Sequence, residues 1–149
     1  MRTPRSAQGG VMLLEAMIGI LIFSLGVLAL VAMQAVSISN VSNARYRSEA
    51  AFLANEIISQ AWVDRGDANG SNIPTYKWPG GNARVTAWVA KVNQLLPQSN
   101  IYTPTITQNV IPGINAGREL VVTIRWKAPD AIAPSNHVAI GYVSMSADP

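Results

Sequence analysis

Residues 9–33 read GGVMLLEAMIGILIFSLGVLALVAM, a nearly all-apolar run whose one ionisable side chain is Glu15. A hydrocarbon core of ~30 Å needs about 20 apolar residues of helix, so this run is long enough to span a bilayer. A carboxylate inside it costs roughly 2.5–3.5 kcal/mol on insertion scales and therefore asks for a reason. The pattern continues past Met33 without a break. From Val11 to Val63 there is no proline, and glycine occurs only at 19 and 26. One helix is expected over residues 11–63, roughly 80 Å long at ~1.5 Å per residue. Its first half, residues 11–33, is apolar on all faces, as a lipid- or bundle-buried helix should be. After Gln34 it turns amphipathic, with Ala50, Leu53, Ile57 and Ala61 at helical spacing and Arg47, Glu49, Glu56 and Ser59 pointing elsewhere. That stripe predicts a head packed on the outer half of the helix.

The flanks set orientation. Arg2 and Arg5 precede the apolar run with no acidic residue before it, so the N-terminus is expected in the cytoplasm and the body of the chain outside it. An ordinary secretory signal shares the basic start, but its apolar region spans only about 7–15 residues. An uncut signal anchor is the other alternative.

With Gly10, Val11 and Glu15, and the apolar Leu13 and Leu14 between them, the N-terminus resembles the type IV pilin family, which includes the pseudopilins of type II secretion. Residues 21–34 look like the minor pilins of the PilV type. The resemblance implies that residues 1–10 are a prepilin leader. A prepilin peptidase would cut between Gly10 and Val11, and Val11 would be N-methylated, although the family more often has Phe or Met there. It implies a fold in which the long helix packs against a small antiparallel head, and a structural role in the pilus, near its tip and in the start of assembly. The implied partners are prepilin peptidase, the major pilin, other minor pilins and an inner-membrane assembly platform. The implied location is the inner membrane, single-pass with a periplasmic head, and then the pilus. Ala32 stands where many major pilins have a helix-breaking proline, which favours a minor component. A minor pseudopilin of a type II secretion system shares the same N-terminus and is the nearest alternative; a signal-anchored periplasmic binding module is a second.

Cleavage would give Glu15 its reason. The amine exposed on Val11 and the Glu15 carboxylate attract more strongly as the dielectric falls. Between neighbouring subunits that pair would set axial register. Gly10 suits the cut because glycine has no Cβ to obstruct an extended backbone in a protease site; a double-glycine export leader is the rival reading. Gly19 and Gly26, seven apart on one face with Ser24 nearby, mark a candidate helix-packing face. Glycine is also simply commoner in membrane helices.

The remainder reads as one modest domain, residues 64–149. The chain has 149 residues, no cysteine, one histidine and a net charge of +3. Without Arg2 and Arg5, nine basic residues face eight acidic ones, so the alkaline balance is no nucleic-acid signal. With no thiol, the head must hold by core packing alone. Residues 64–72 (DRGDANGSN) form a turn cluster that ends the helix. Residues 73–81 are a loop or short edge segment broken by Pro74 and Pro79. Asn82 to Leu96 suits a short helix capped by Asn82 and stopped by Pro97. Residues 101–110, 118–127 and 137–145 read as strands, the first an edge strand because of Pro104. In the second, Leu120, Val122, Ile124 and Trp126 alternate with polar residues. The fold class is α+β.

No catalytic, cofactor or metal set stands out, and the chain is expected not to be an enzyme. Without a thiol and with His137 alone, Cys–His catalysis and the usual zinc sets are excluded. Ser135, His137 and Asp130 lie close in sequence, which does not establish triad geometry. Asp130 and Asp148 are a thin basis for calcium. The tripeptide Arg65-Gly66-Asp67 arises often by chance. The four tryptophans (62, 78, 88 and 126) are expected to fill a disulfide-free core, and Arg45 and Glu49 to pair weakly across one helical turn.

Overall fold

The computed structural model describes residues 9–64, 75–111 and 117–144. Its elements in chain order are helix α1 (Gly9–Val63), helix α2 (Ala83–Leu95) and strands β1 (Thr105–Ile111), β2 (Gly117–Trp126) and β3 (Ser135–Ser144). This is the expected α+β layout. The chain divides into two compact units, Met1–Val41 and Ser42–Pro149. In the first unit the described residues are all helix, and their large apolar side chains are exposed.

In the second unit, α1 contributes a buried stripe of Ala50, Leu53, Ala54, Ile57 and Ala61. These recur every three or four residues, the spacing that brings side chains onto one face. α2 buries Val85, Trp88, Val89 and Val92 on the same principle. Its start is set by Asn82, whose side-chain oxygen accepts from the Val85 N–H at 3.0 Å, satisfying a donor the first turn leaves unpaired. At its other end the Leu96 N–H donates to the Val92 carbonyl at 3.0 Å and Pro97 follows.

The three strands form an antiparallel sheet in the order β1-β2-β3. Ile106 lies opposite Val122, and Leu120 opposite Gly141. In β2 the residues Leu120, Val122, Ile124 and Trp126 are all buried, as their alternation predicts. The outer edge of β1 is bridged at one position by Trp78, whose N–H donates to the Ile106 carbonyl at 3.0 Å while the Ile106 N–H donates back at 3.3 Å. α1 and β3 approach so closely that a Cβ on Gly141 would lie 2.4 Å from Cγ2 of Ile58.

Several expectations are corrected. α1 begins at Gly9, so the last two residues of the expected leader are helical. Strand β1 starts only at Thr105: residues 97–101 form a turn in which the Ile101 and Tyr102 N–H groups donate to the Gln98 carbonyl, and Pro104 has no N–H to extend the ladder. β3 starts two residues before His137. Trp126 and Trp88 are core residues and Trp78 packs partly against the same core, but Trp62 is exposed, because it sits roughly 120° around the helix from the middle of the buried stripe. Arg45 and Glu49 form no ion pair among the described residues; Glu56–Lys91 and Asp64–Arg84 do. The turn cluster from Arg65 onward, with Arg65-Gly66-Asp67, lies outside the described residues, as does Asp148.

Candidate functional site

Of the residues singled out at the N-terminus, Gly10, Val11, Glu15, Gly19 and Gly26 lie on α1, while Arg2 and Arg5 lie outside the described residues. Gly10, Val11 and Glu15 are exposed along it. Four residues of helix rise ~6 Å, so Val11 and Glu15 sit one turn apart on neighbouring positions of one face. The Gly10–Val11 bond is inside the first helical turn, where a protease needing an extended strand must first unwind it. Glycine costs about 1 kcal/mol in a helix relative to alanine, and Gly9 and Gly10 together make this turn the easiest part of α1 to open.

Farther along, a Cβ added at Gly19 or Gly26 would meet nothing within 4 Å, so both glycines face open space. Ser24 donates its hydroxyl to the Ile20 carbonyl at 2.7 Å. That is the one-turn back-bond by which a serine hides its polarity from an apolar surround. Among the described residues, α1 is the one helix long and apolar enough to cross a membrane, by length and composition.

The second concentration of polar chemistry is the seam between the outer half of α1 and α2, which the sequence reading did not single out. Three rungs cross it. At one end, Asp64 Oδ2 accepts from the Tyr76 hydroxyl at 2.5 Å and from Arg84 Nε at 3.0 Å. One turn farther along α2, Trp88 Nε1–H donates to the Leu53 carbonyl at 2.9 Å. At the far end, Lys91 Nζ lies 2.8 Å from both Glu56 oxygens and 5.6 Å from the centre of the Phe52 ring. The spacing Glu56–Gln60 on α1 and Asp64 just past its end, against Arg84 and Lys91 on α2 with the buried Trp88 between them, was the available signal. Burial raises the pKa of the Tyr76 hydroxyl above its ordinary 10.0, and its bond to the Asp64 carboxylate raises it further.

A cleft of about 240 Å³ lies along this seam, lined by Glu56, Gln60, Arg84, Ala87, Trp88 and Lys91. It is smaller than the ~300–1,000 Å³ of ordinary ligand sites, and its two cations already have internal anions, so its chemistry is that of helix docking. Ser135, His137 and Asp130 share no hydrogen bond among the described residues, and no group of three His, Asp or Glu residues that could hold a metal occurs among them. The chain matches no protein-family profile, no curated protein and no solved structure.

Proposed function

We propose that this chain is the precursor of a minor type IV pilin, a structural subunit rather than an enzyme. It sits in the inner membrane through residues 11–33, with the N-terminus cytoplasmic and the head periplasmic. Prepilin peptidase cuts it between Gly10 and Val11, and Val11 is N-methylated. The assembly platform then builds it, with other minor pilins and the major pilin, into the pilus through the helix of residues 11–63, near the tip and at the start of assembly.

The observation that carries this reading is a single carboxylate, Glu15, on the exposed apolar part of α1 and one turn from the proposed new N-terminus. Paired with the Val11 amine of an adjoining subunit, that carboxylate is neutralised in the apolar filament interior, where an unpaired charge is costly. Gly19 and Gly26, which face open space and carry no Cβ, support close helix approach in the same bundle.

Glu15→Ala is expected to insert into the membrane normally and to be missing from sheared filaments; its normal incorporation refutes the register pairing. Gly10→Val is expected to block processing, seen as an unshifted band on a gel. Intact mass of polymerised material with Met1 still attached refutes the reading as a whole. The proteins crosslinked to the head separate a pilus from a type II secretion pseudopilus.

A further inference from the structure

The two edges and faces of the sheet are treated differently. The inner face packs on α1, and the outer edge of β1 is bridged at Ile106 by Trp78. The outer face is another matter. Directly paired residues of an antiparallel sheet point to the same side. The β2–β3 register therefore puts Glu119 with Tyr142, Val121 with Ile140, and Arg125 with Asn136 on the face away from the core. Val138, Ile140 and Tyr142 are 51%, 55% and 58% exposed there. β3 carries no Lys, Arg, Asp, Glu or Pro, the residues with which natural sheets discourage association.

The charges on this face are two, and they are opposite. Glu119 lies near the start of β2, its carboxylate held by the Asn109 amide at 2.9 Å. Arg125 lies six positions along the same strand, ~20 Å away. Such a face is complementary to itself in one orientation. Turned about a two-fold axis that lies between the sheets and across the strands, β3 covers β3 antiparallel and Tyr142 comes over Val138 of the other copy. Ile140 then meets Ile140, and the Glu119 end of each β2 faces the Arg125 end of the other. Turning about an axis along the strands sets Glu119 against Glu119 and brings the apolar row over threonines, so it is disfavoured.

We infer that the outer face of the sheet is an interface for a second copy of this chain, packed antiparallel with Ile140 at the two-fold axis. Three strands about 4.8 Å apart, of seven, ten and ten residues, present a face of roughly 430 Å², short of the ~800 Å² per partner of a stand-alone dimer. The contact is therefore weak in free solution and needs the concentration that anchoring in one membrane supplies. It rests on anchoring through α1 and not on leader cleavage, so a block of processing at Gly10 leaves it testable.

The chain has no native cysteine, which makes the test clean. Full-length Ile140→Cys, oxidised in native membranes, is expected to form a disulfide-linked homodimer several-fold above Ile132→Cys, whose parent residue is 99% exposed on a loop. In the Ile140→Cys background, Glu119→Arg alone or Arg125→Glu alone is expected to lose that dimer. The two variants co-expressed with different tags are expected to recover it as a mixed dimer. Crosslinking at 140 no greater than at 132 overturns the inference. So does a disulfide formed mainly to a different protein, or no mixed dimer from the charge-swapped pair.

Discussion

Gly141 is where the geometry makes its sharpest demand. A Cβ built on it would lie 2.4 Å from Ile58 Cγ2 and 3.2 Å from Cγ1 and Cδ1. The first distance is far inside contact range, so Gly141→Ala must push β3 off α1 or force Ile58 from its rotamer. Overpacking of this kind costs about 1–3 kcal/mol, against which replacing a strand glycine returns roughly 0.5–1 kcal/mol. A net loss of about 1–2 kcal/mol lowers the midpoint of a head this size by roughly 5–15 °C. Thermal unfolding of the full chain in detergent, followed by tryptophan fluorescence, measures it through Trp88 and Trp126 in the core. A double-mutant cycle then names the atom responsible. Ile58→Ala removes Cγ2 and should absorb most of the Gly141→Ala penalty. Ile58→Val keeps both γ carbons and should absorb little. Equal rescue by Val and Ala, or a neutral Gly141→Ala, refutes the close approach of α1 to β3.

Other outcomes follow from the α1–α2 seam. Tyr76→Phe removes the hydroxyl that donates to Asp64, a bond to a charged group worth about 1.5–3 kcal/mol. The folded-state pKa of Tyr76 is raised above 10.0 by burial and then by Asp64, so the stability it confers is complete below pH ~10 and is lost as pH climbs toward the raised value. Alkaline urea titrations should therefore show a shallower loss of stability above pH ~10 in Tyr76→Phe than in the parent. Glu56→Gln breaks a pair whose partners are 41% and 24% exposed; it should cost under ~1 kcal/mol, and the difference should fade in ~1 M salt. Asn82→Ala takes away the α2 cap and should cost about 0.5–2 kcal/mol in chemical denaturation, with Asn82→Ser close to the parent.

Much of this protein is written in local pattern. An uninterrupted apolar run without proline has one low-energy backbone solution, because every peptide group must find its partner within the segment, and α1 follows. The stripe Ala50, Leu53, Ile57 and Ala61, the cap at Asn82 and the alternation of Leu120 to Trp126 are equally local, resting on periods of 3.6 and 2 that any reader of the chain can count. The candidate residues Gly10, Val11 and Glu15 rest on a resemblance in a short local motif, and the structure places them together on one exposed stretch of α1.

What only the tertiary structure decided are relations between segments far apart in the chain. β3 alternates apolar residues on both faces, so nothing local says which is buried; the contact of Gly141 with Ile58, 83 positions earlier in the numbering, turns Val138, Ile140 and Tyr142 outward. The three rungs joining α1 to α2 likewise depend on how two helices dock, since each polar residue alone reads as an ordinary solvated one. Period and capping act through neighbours along the backbone, whereas the choice of face and of ion-pair partner is made by side-chain volume and burial once the elements meet.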